Sequence, residues 1–552
     1  MTSKRNRRSE NRCRYYVRRE AKRRGWDLPH LSRGGDVLEE QEIEAYFPDI
    51  GLQGDRPDFL FCLFGDPSII VEAKNEPGKL EQARKQAESY ADKINALGNY
   101  SIKVAVGAAG EEDRGFEIGV SFLARQGWIP LTSHGFALTT FPSKTEVEIA
   151  LKANDASTKV SVPSQAEFVD AAIETSRILR TAKIEAPLRP KVIGALVLAM
   201  YQGAVDTSPG KALSSVNFLV ETAINNALNM TQENRVKLKD VLHLSSADFN
   251  RLALFVGRIV NILKRLNVRS VIHTDTDFLG MFYEAFLRYG YDNKALGIVF
   301  TPRHITRMCV ELIGVSARDR VIDIAAETGG FLVAAFDSMI QQARSPAETE
   351  KIKESIIGFD TNPTVWGLSM LNMFFRGDGK SHIYNKSCFD EDGFSLVYRQ
   401  CTKALLNPPF SQDEEPEYLF IDRAMDALEP GGLLAVVVYA SILADTTHNT
   451  WRQRFALKHK LLATISLPED LFYPTAAPTS IVVAEAHVPL SPVDRVFMAR
   501  IWNDGYEKLK GKRVERAGSQ IGEVVSQFHT FIEGKPVYSE LVTVIQGSDL
   551  LS

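Results

Sequence analysis

The chain has 552 residues, 44% of them hydrophobic and 24% charged, with a formal net charge of −4. At about 150 residues per domain this length predicts three or four domains, and the ordinary composition excludes a largely disordered chain. No apolar run reaches the roughly 18 residues that a membrane helix needs, and the Arg-rich start lacks the apolar centre of a secretory signal. Cys13, Cys62, Cys309, Cys388 and Cys401 lie far apart without paired spacing. They predict neither a zinc centre nor a disulfide framework and suit a reducing, cytoplasmic compartment.

Between Met1 and Arg24 stand 11 basic and two acidic residues. Such an arm can follow a phosphate backbone, and it equally describes a solvated helix face. Cys13, Tyr16, Val17 and Ala21 recur at helical spacing, which predicts an amphipathic helix rather than a loose tail. From there to residue 143 the pattern mixes helix with short apolar runs at Phe59–Phe64, Ile69–Val71 and Val104–Ala108. Residues 144–163 are more polar and read as a linker. Residues 164–290 have helical periodicity with almost no strand signal. Over 291–488 apolar strands alternate with helical stretches, the pattern of a parallel α/β sheet, and 489–552 read as a short mixed tail.

The first chemical constellation is Arg56-Pro57-Asp58, followed by Glu72-Ala73-Lys74 at the end of the strand Ile69–Val71. Side chains alternate along a strand, so Glu72 and Lys74 share a face. Asp58 and Glu72 could then share a divalent cation through hard oxygen ligands, with Lys74 beside them to orient or activate water. Phosphodiester cleavage needs such a set.

This pattern resembles the PD-(D/E)xK nuclease superfamily, especially the nuclease domain at the N-terminus of type I restriction motor subunits. Gln86 and Tyr90 have the Gln-x-x-x-Tyr spacing that many such nucleases carry on the next helix, and Glu10 takes the place of their first-helix acid. The resemblance covers roughly the first 110 residues. It implies Mg2+ held by Asp58 and Glu72.

The second constellation is Asn407-Pro408-Pro409-Phe410, just after Ala404-Leu405-Leu406. Two prolines fix the backbone and remove two donors. The Asn amide oxygen and a proline carbonyl are left as acceptors for an exocyclic amino group, and Phe410 can stack on a base taken out of the duplex. Upstream, Val321-Ile322-Asp323 predicts a first strand and Thr328-Gly329-Gly330-Phe331 the turn into a helix. Ile356–Phe359 predicts a second strand with Asp360 at its end, placed for ribose hydroxyls. Phe300-Thr301-Pro302-Arg303 precedes a helix.

Together these motifs resemble the modification subunit of type I restriction systems, an N6-adenine DNA methyltransferase family. The resemblance runs from about Gln165 to Glu485. It implies S-adenosylmethionine held by Thr301, Asp323, Thr328, Gly329, Gly330, Phe331 and Asp360, with Asn407, Pro408, Pro409 and Phe410 as the catalytic motif. Two positions depart from the family. Glu327 stands where the first glycine of the cofactor loop is expected, and Lys386 where an Asp or Asn contacts the adenine ring.

The expected fold class is therefore α/β: a PD-(D/E)xK nuclease-like domain over 1–143, a linker over 144–163, an all-helical connector over 164–290, a Rossmann-like methyltransferase domain over 291–488 and a tail over 489–552. The expected function is a bifunctional restriction–modification enzyme acting on double-stranded DNA. A separate specificity subunit would choose the target, no membrane would be involved, and a homo-oligomer is compatible with the sequence. The competing reading is a defence nuclease whose methyltransferase-like domain is a non-catalytic platform for DNA or a partner.

Overall fold

The computed structural model describes residues 2–111, 115–159, 162–227, 230–272, 281–282, 285–286, 301–378, 382–409, 415–472, 478–509 and 512–551. In the first helix, side chains are described from Arg12 onward. Two compact units form: Met1–Ile184 with Ala195–Val220 and Leu244–Phe278, and Glu185–Gly194 with Glu221–His243 and Leu279–Ser552. No helix among the described residues is long and apolar enough to cross a membrane.

The first unit opens with the helix Thr2–Arg23, which buries Cys13, Tyr16, Val17 and Ala21 as their spacing predicts. Strands β1 (Val37–Glu39), β2 (Phe59–Leu63), β3 (Asp66–Lys74), β4 (Val104–Glu111), β5 (Gly115–Ala124) and β6 (Gly127–Pro130) make one sheet in that order. Only β3 and β4 pair in parallel. The helix Leu80–Ala96 supplies their crossover and buries Ala83, Ala87, Tyr90, Ala91 and Ile94. It lies close on β4 because Gly107 leaves room, since a Cβ there would come within 2.5 Å of the Arg84 backbone nitrogen. A small ribbon, β7 (Thr132–Ser133) with β8 (Phe136–Ala137), follows.

The segment expected to be a linker opens with regular structure. Lys144–Ala153 is a helix whose start is closed by a capping box between Ser143 and Glu146. Arg24 donates to both carboxylate oxygens of Glu146, at 2.9 and 3.0 Å, with both side chains buried. The helix docks partly through a charge pair, so its polar residues do not advertise burial.

Over 164–290 the described elements are helical, including Gln165–Thr181, Arg189–Gln202, Ala212–Asn226, Gln232–Leu242 and Val256–Arg265. They do not make one connector, because the two units divide them. Gln232–Leu242 packs on the helix Pro363–Phe375, where a Cβ on Gly367 would sit 2.8 Å from Val241. Val256–Arg265 packs on β5, with Lys264 2.5 Å from Glu117. Periodicity shows that a helix has a buried face but not what covers it.

The second unit is built on β9 (Val321–Asp323), β10 (Ile356–Phe359), β11 (His382–Tyr384), β12 (Cys401–Leu406), β13 (Leu428–Tyr439), β14 (Lys460–Ser466), β15 (Thr479–Glu485) and β16 (Arg495–Arg500). A separate ribbon, β17 (Tyr506–Leu509) with β18 (Lys512–Glu515), precedes the last strand, β19 (Val542–Gln546). The main sheet runs β11-β10-β9-β12-β13-β15-β14-β16-β19. From β11 to β13 all pairs are parallel, and β15 is antiparallel to both neighbours. Pro430-Gly431-Gly432 makes an excursion within β13: Cys401 pairs with Leu428 but Lys403 already with Leu433. The expected tail is not peripheral either, since β16 and β19 extend the sheet.

Strand order reverses between β9 and β12, and ligands bind beyond the carboxyl ends of strands at such a switch point. Both Asp323 and Asn407 stand there.

Candidate functional site

At the end of β9, Asp323 is 1% exposed and accepts from the Ala325 amide at 3.0 Å. The chain then turns through Gly329, whose φ of 80° favours glycine, into the helix Gly330–Gln342. A Cβ on Gly329 would lie 2.6 Å from Ser369 Oγ, so the turn admits no side chain. Thr328 and Phe331 are buried, and Asn372 donates to the Thr328 carbonyl at 3.2 Å. After β10, Asp360 accepts from the amides of Asn362 and Glu327, at 2.8 and 3.0 Å. Burial pushes the Asp323 carboxyl up to about 8 and the Asp360 carboxyl up to about 7.

Two cavities meet here. One of about 300 Å³ is lined by Phe359, Asp360, Lys386, Pro409 and Phe420 among others. A smaller one of about 20 Å³ is lined by Thr301, Arg303, Asp323, Thr328, Gly330 and Phe331. Ala325, Glu327 and Asn407 line both. Thus the structure gathers Thr301, Asp323, Thr328, Gly330, Phe331, Asp360, Asn407 and Pro409 in one place, with Gly329 forming the turn. Pro408 is buried beside Asn407. Phe410 lies outside the described residues.

Glu327 has a φ of 46°, the left-handed backbone that the missing glycine would adopt without cost. Lys386 also lines the larger cavity, while Asn385 donates to the Asp360 carbonyl at 2.8 Å. The cradle that a Cβ would fill, the acid after β10 and the larger cavity fit an adenosine-bearing cofactor such as S-adenosylmethionine. Arg303, read from sequence only as the end of a motif before a helix, lines the smaller cavity and donates to the Gly330 carbonyl at 3.2 Å.

In the first unit, β2 runs antiparallel to β3 with Phe59 opposite Val71, which sets Asp58 beside Glu72. The Ala73 amide donates to Asp58 Oδ2 at 2.7 Å, and Lys74 Nζ lies 2.7 Å from Glu72 Oε1. Burial, reinforced by Asp58, pushes the Glu72 carboxyl up to about 7. Burial also raises Asp58, although the Ala73 amide and Arg14 oppose it. Two carboxylates raised in this way fit a divalent cation, which would offset their charge through hard oxygen ligands. Among the described residues, no group of three or more His, Cys, Asp or Glu gathers as a metal site.

Gln86 and Tyr90 stand nearby but bond elsewhere. Gln86 donates to Tyr90 Oη at 3.1 Å, and Tyr90 donates to Asp55 at 3.0 Å. Glu10 lies in the helix Thr2–Arg23, but its side chain is outside the described residues. Arg14, missed as a single residue within the Arg-rich helix, is 3.6 Å from Asp58 and also pairs with Glu39 and Glu40. Arg18, Arg19, Arg23 and Arg24 likewise pair with acids of the same unit. From Arg14 onward the basic helix therefore spends much of its charge internally.

Residues 274–547 match the N-6 DNA Methylase family. The type II restriction enzyme and methyltransferase RM.BcgI of Heyndrickxia coagulans is 34% identical over 261 residues, 46% of this chain and 41% of that protein. The methylase subunit of the type I restriction enzyme HindI of Haemophilus influenzae is 25% identical over 293 residues, 48% of this chain and 64% of that one. The chain thus spans less than two thirds of the length of these curated relatives. A solved chain from Vibrio vulnificus YJ016, described as the modification subunit of a type I restriction enzyme, shares the fold at a TM-score of 0.50 and 16% identity, covering 71% of this chain and 94% of that one. The segment 274–547 is accordingly related to the N-6 DNA methylases and resembles the modification subunits of type I systems within them.

Proposed function

We propose that the chain methylates adenine N6 in double-stranded DNA with S-adenosylmethionine. The observation that carries this reading is the convergence of Asn407 with Asp323, Thr328 and Gly330 on one cavity wall, at the point where strand order reverses. The cofactor supplies an electrophilic methyl group on a sulfonium. Asp360 would take the ribose hydroxyls, and the Gly329 turn lets the backbone approach the ligand. The Asn407 amide oxygen and the Pro408 carbonyl would accept hydrogen bonds from the adenine amino group, holding its nitrogen lone pair towards the methyl group. Phe410 would stack on the extruded base. A separate specificity subunit would choose the target, a reading supported by the similarity to type I methylase subunits. Transfer of labelled methyl groups to DNA by the wild type, lost in Asn407→Ala, tests it; no transfer by the wild type on DNA rich in adenine contexts, with co-purifying partners retained, refutes it.

The first unit supports a second activity, Mg2+-dependent DNA cleavage. Asp58 and Glu72 would hold the cation and Lys74 would orient the attacking water. Support comes from the Asp58, Glu72 and Lys74 side chains meeting on adjoining strands, with a helical crossover between the parallel pair β3 and β4. RM.BcgI, which is named as both restriction enzyme and methyltransferase, is a relative in which the two activities occur together. The competing reading, a nuclease with a non-catalytic methyltransferase-like platform, is favoured by the Glu327 carboxylate in the cofactor turn.

A further inference from the structure

Outside the two sites, the most heavily buried ionic cluster among the described residues lies where the C-terminal segment meets the helix Arg303–Leu312. The first residue of that helix, Arg303, faces the smaller cavity and binds the Gly330 carbonyl. The next, His304, faces away from it. Its Nε2 is 2.7 Å from Asp504 Oδ2, and its ring stacks on Tyr506 with centroids 4.8 Å apart. Asp504 is 2% exposed and is also gripped by Arg513 through two bonds, at 2.9 Å to Oδ2 and 2.7 Å to Oδ1. Arg513, 4% exposed, reaches Asp470 as well, at 3.4 Å. Farther along the same helix, His529 Nε2 is 2.9 Å from the Glu311 carbonyl.

Three segments distant in sequence therefore meet at one buried centre: the helix start at 303–304, the turn around Asp470, and the β17–β18 ribbon. Apolar residues of similar size often replace such centres without loss of stability, because burying charges costs about as much as their pairing returns. What a bidentate pair with a third partner adds is directionality: the bonds are satisfied in one arrangement, whereas apolar contact tolerates sliding. The element so fixed carries Thr301 and Arg303 into the cofactor cavity.

We propose that His304 and Asp504 are positioning residues for the cofactor site, and that the C-terminal ribbon sets Thr301 and Arg303 against the 327–331 turn. The role rests on the methyltransferase reading above. It is tested on the full chain with S-adenosylmethionine by calorimetry, melting temperature and the split between KM and kcat. His304→Phe keeps a ring against Tyr506 and leaves the Arg513–Asp504 pair intact, so the fold is retained. Its expected effect is about tenfold weaker cofactor binding, seen as a raised KM with kcat little changed and the melting temperature unaltered. His304→Gln, which can still donate to Asp504, restores affinity. Should His304→Phe not fold, His304→Ala, which likewise leaves the Arg513–Asp504 pair in place, is read in the same way.

Unchanged affinity in the variant overturns the positioning role. So does a loss of affinity that tracks a falling melting temperature and is not rescued by glutamine. Failure of the wild type itself to bind is a different result: it overturns the methyltransferase reading, and the inference falls with it.

Discussion

Replacing Glu327 with glycine changes two things at once, and the structure separates them. The backbone there has a φ of 46°, a left-handed conformation that costs a residue with a Cβ roughly 1–2 kcal/mol. Glycine removes that strain but adds about 0.5–1 kcal/mol of unfolded-chain entropy, so folding stability should change by no more than about 1.5 kcal/mol. Binding should respond more. The Glu327 side chain stands between the two cavities, where the cofactor's own carboxylate would approach the glycine turn. Like charges about 5 Å apart repel by about 3 kcal/mol at an effective dielectric constant near 20. Lys386 lines the larger cavity and offsets part of this. A residual repulsion of about 1.5–2 kcal/mol corresponds to roughly 10- to 30-fold in affinity. Calorimetry should therefore find weak binding of S-adenosylmethionine by the wild type and binding tighter by that factor in Glu327→Gly. Tight wild-type binding that the substitution does not improve would refute the reasoning and show that the turn accommodates the carboxylate.

For the nuclease reading, Asp58→Ala and Lys74→Ala should each abolish nicking of plasmid in Mg2+ while DNA binding in gel-shift assays stays near wild type; cleavage by Asp58→Ala at the wild-type rate removes Asp58 from the site. Glu72 makes the first unit pH-sensitive. Its folded value of about 7 lies above the ordinary 4.5, so the folded state retains a proton that the unfolded chain releases. In EDTA, the stabilisation is full below about pH 4.5 and is lost as pH rises through 7, by up to about 1.4 kcal/mol per pH unit. Chemical denaturation across that range should show this slope in the wild type and a flatter one in Glu72→Gln; identical slopes would show that Glu72 titrates normally. Deleting residues 1–8 should weaken DNA binding and flatten its salt dependence, because the arginines from Arg14 onward are already paired with acids. An unchanged salt slope returns the arm to a solvated helix face.

Local features were legible where a few residues in a row carry both the structure and the chemistry. Cys13, Tyr16, Val17 and Ala21 predict a buried helix face because helical spacing alone brings them together. Asn407-Pro408-Pro409 predicts a rigid turn out of a strand because two prolines leave the backbone little choice. The order of glycine turn, strand-end acid and Asn-Pro-Pro motif pointed to candidate cofactor residues, and the structure gathers the described ones at one point. The glycine-dependent turn was also readable through its exception, since Glu327 adopts the left-handed backbone of the residue it replaces.

What the sequence could not decide is which distant groups compensate one another. The helix Lys144–Ala153 was hidden because Arg24, more than a hundred residues earlier, neutralises its buried Glu146. Arg14 looked like one more solvated arginine until the fold set it 3.6 Å from Asp58, and of the correctly spaced pair Gln86 bonds Tyr90 while Tyr90 turns to Asp55. The tail over 489–552 has a mixed pattern because its strands are completed by β14 and its charges by His304 and Asp470. Periodicity reports that a face will be buried and a motif reports which atoms it offers. Burial of a charge becomes tolerable only when a partner arrives from elsewhere in the chain, and that pairing is decided by the tertiary fold.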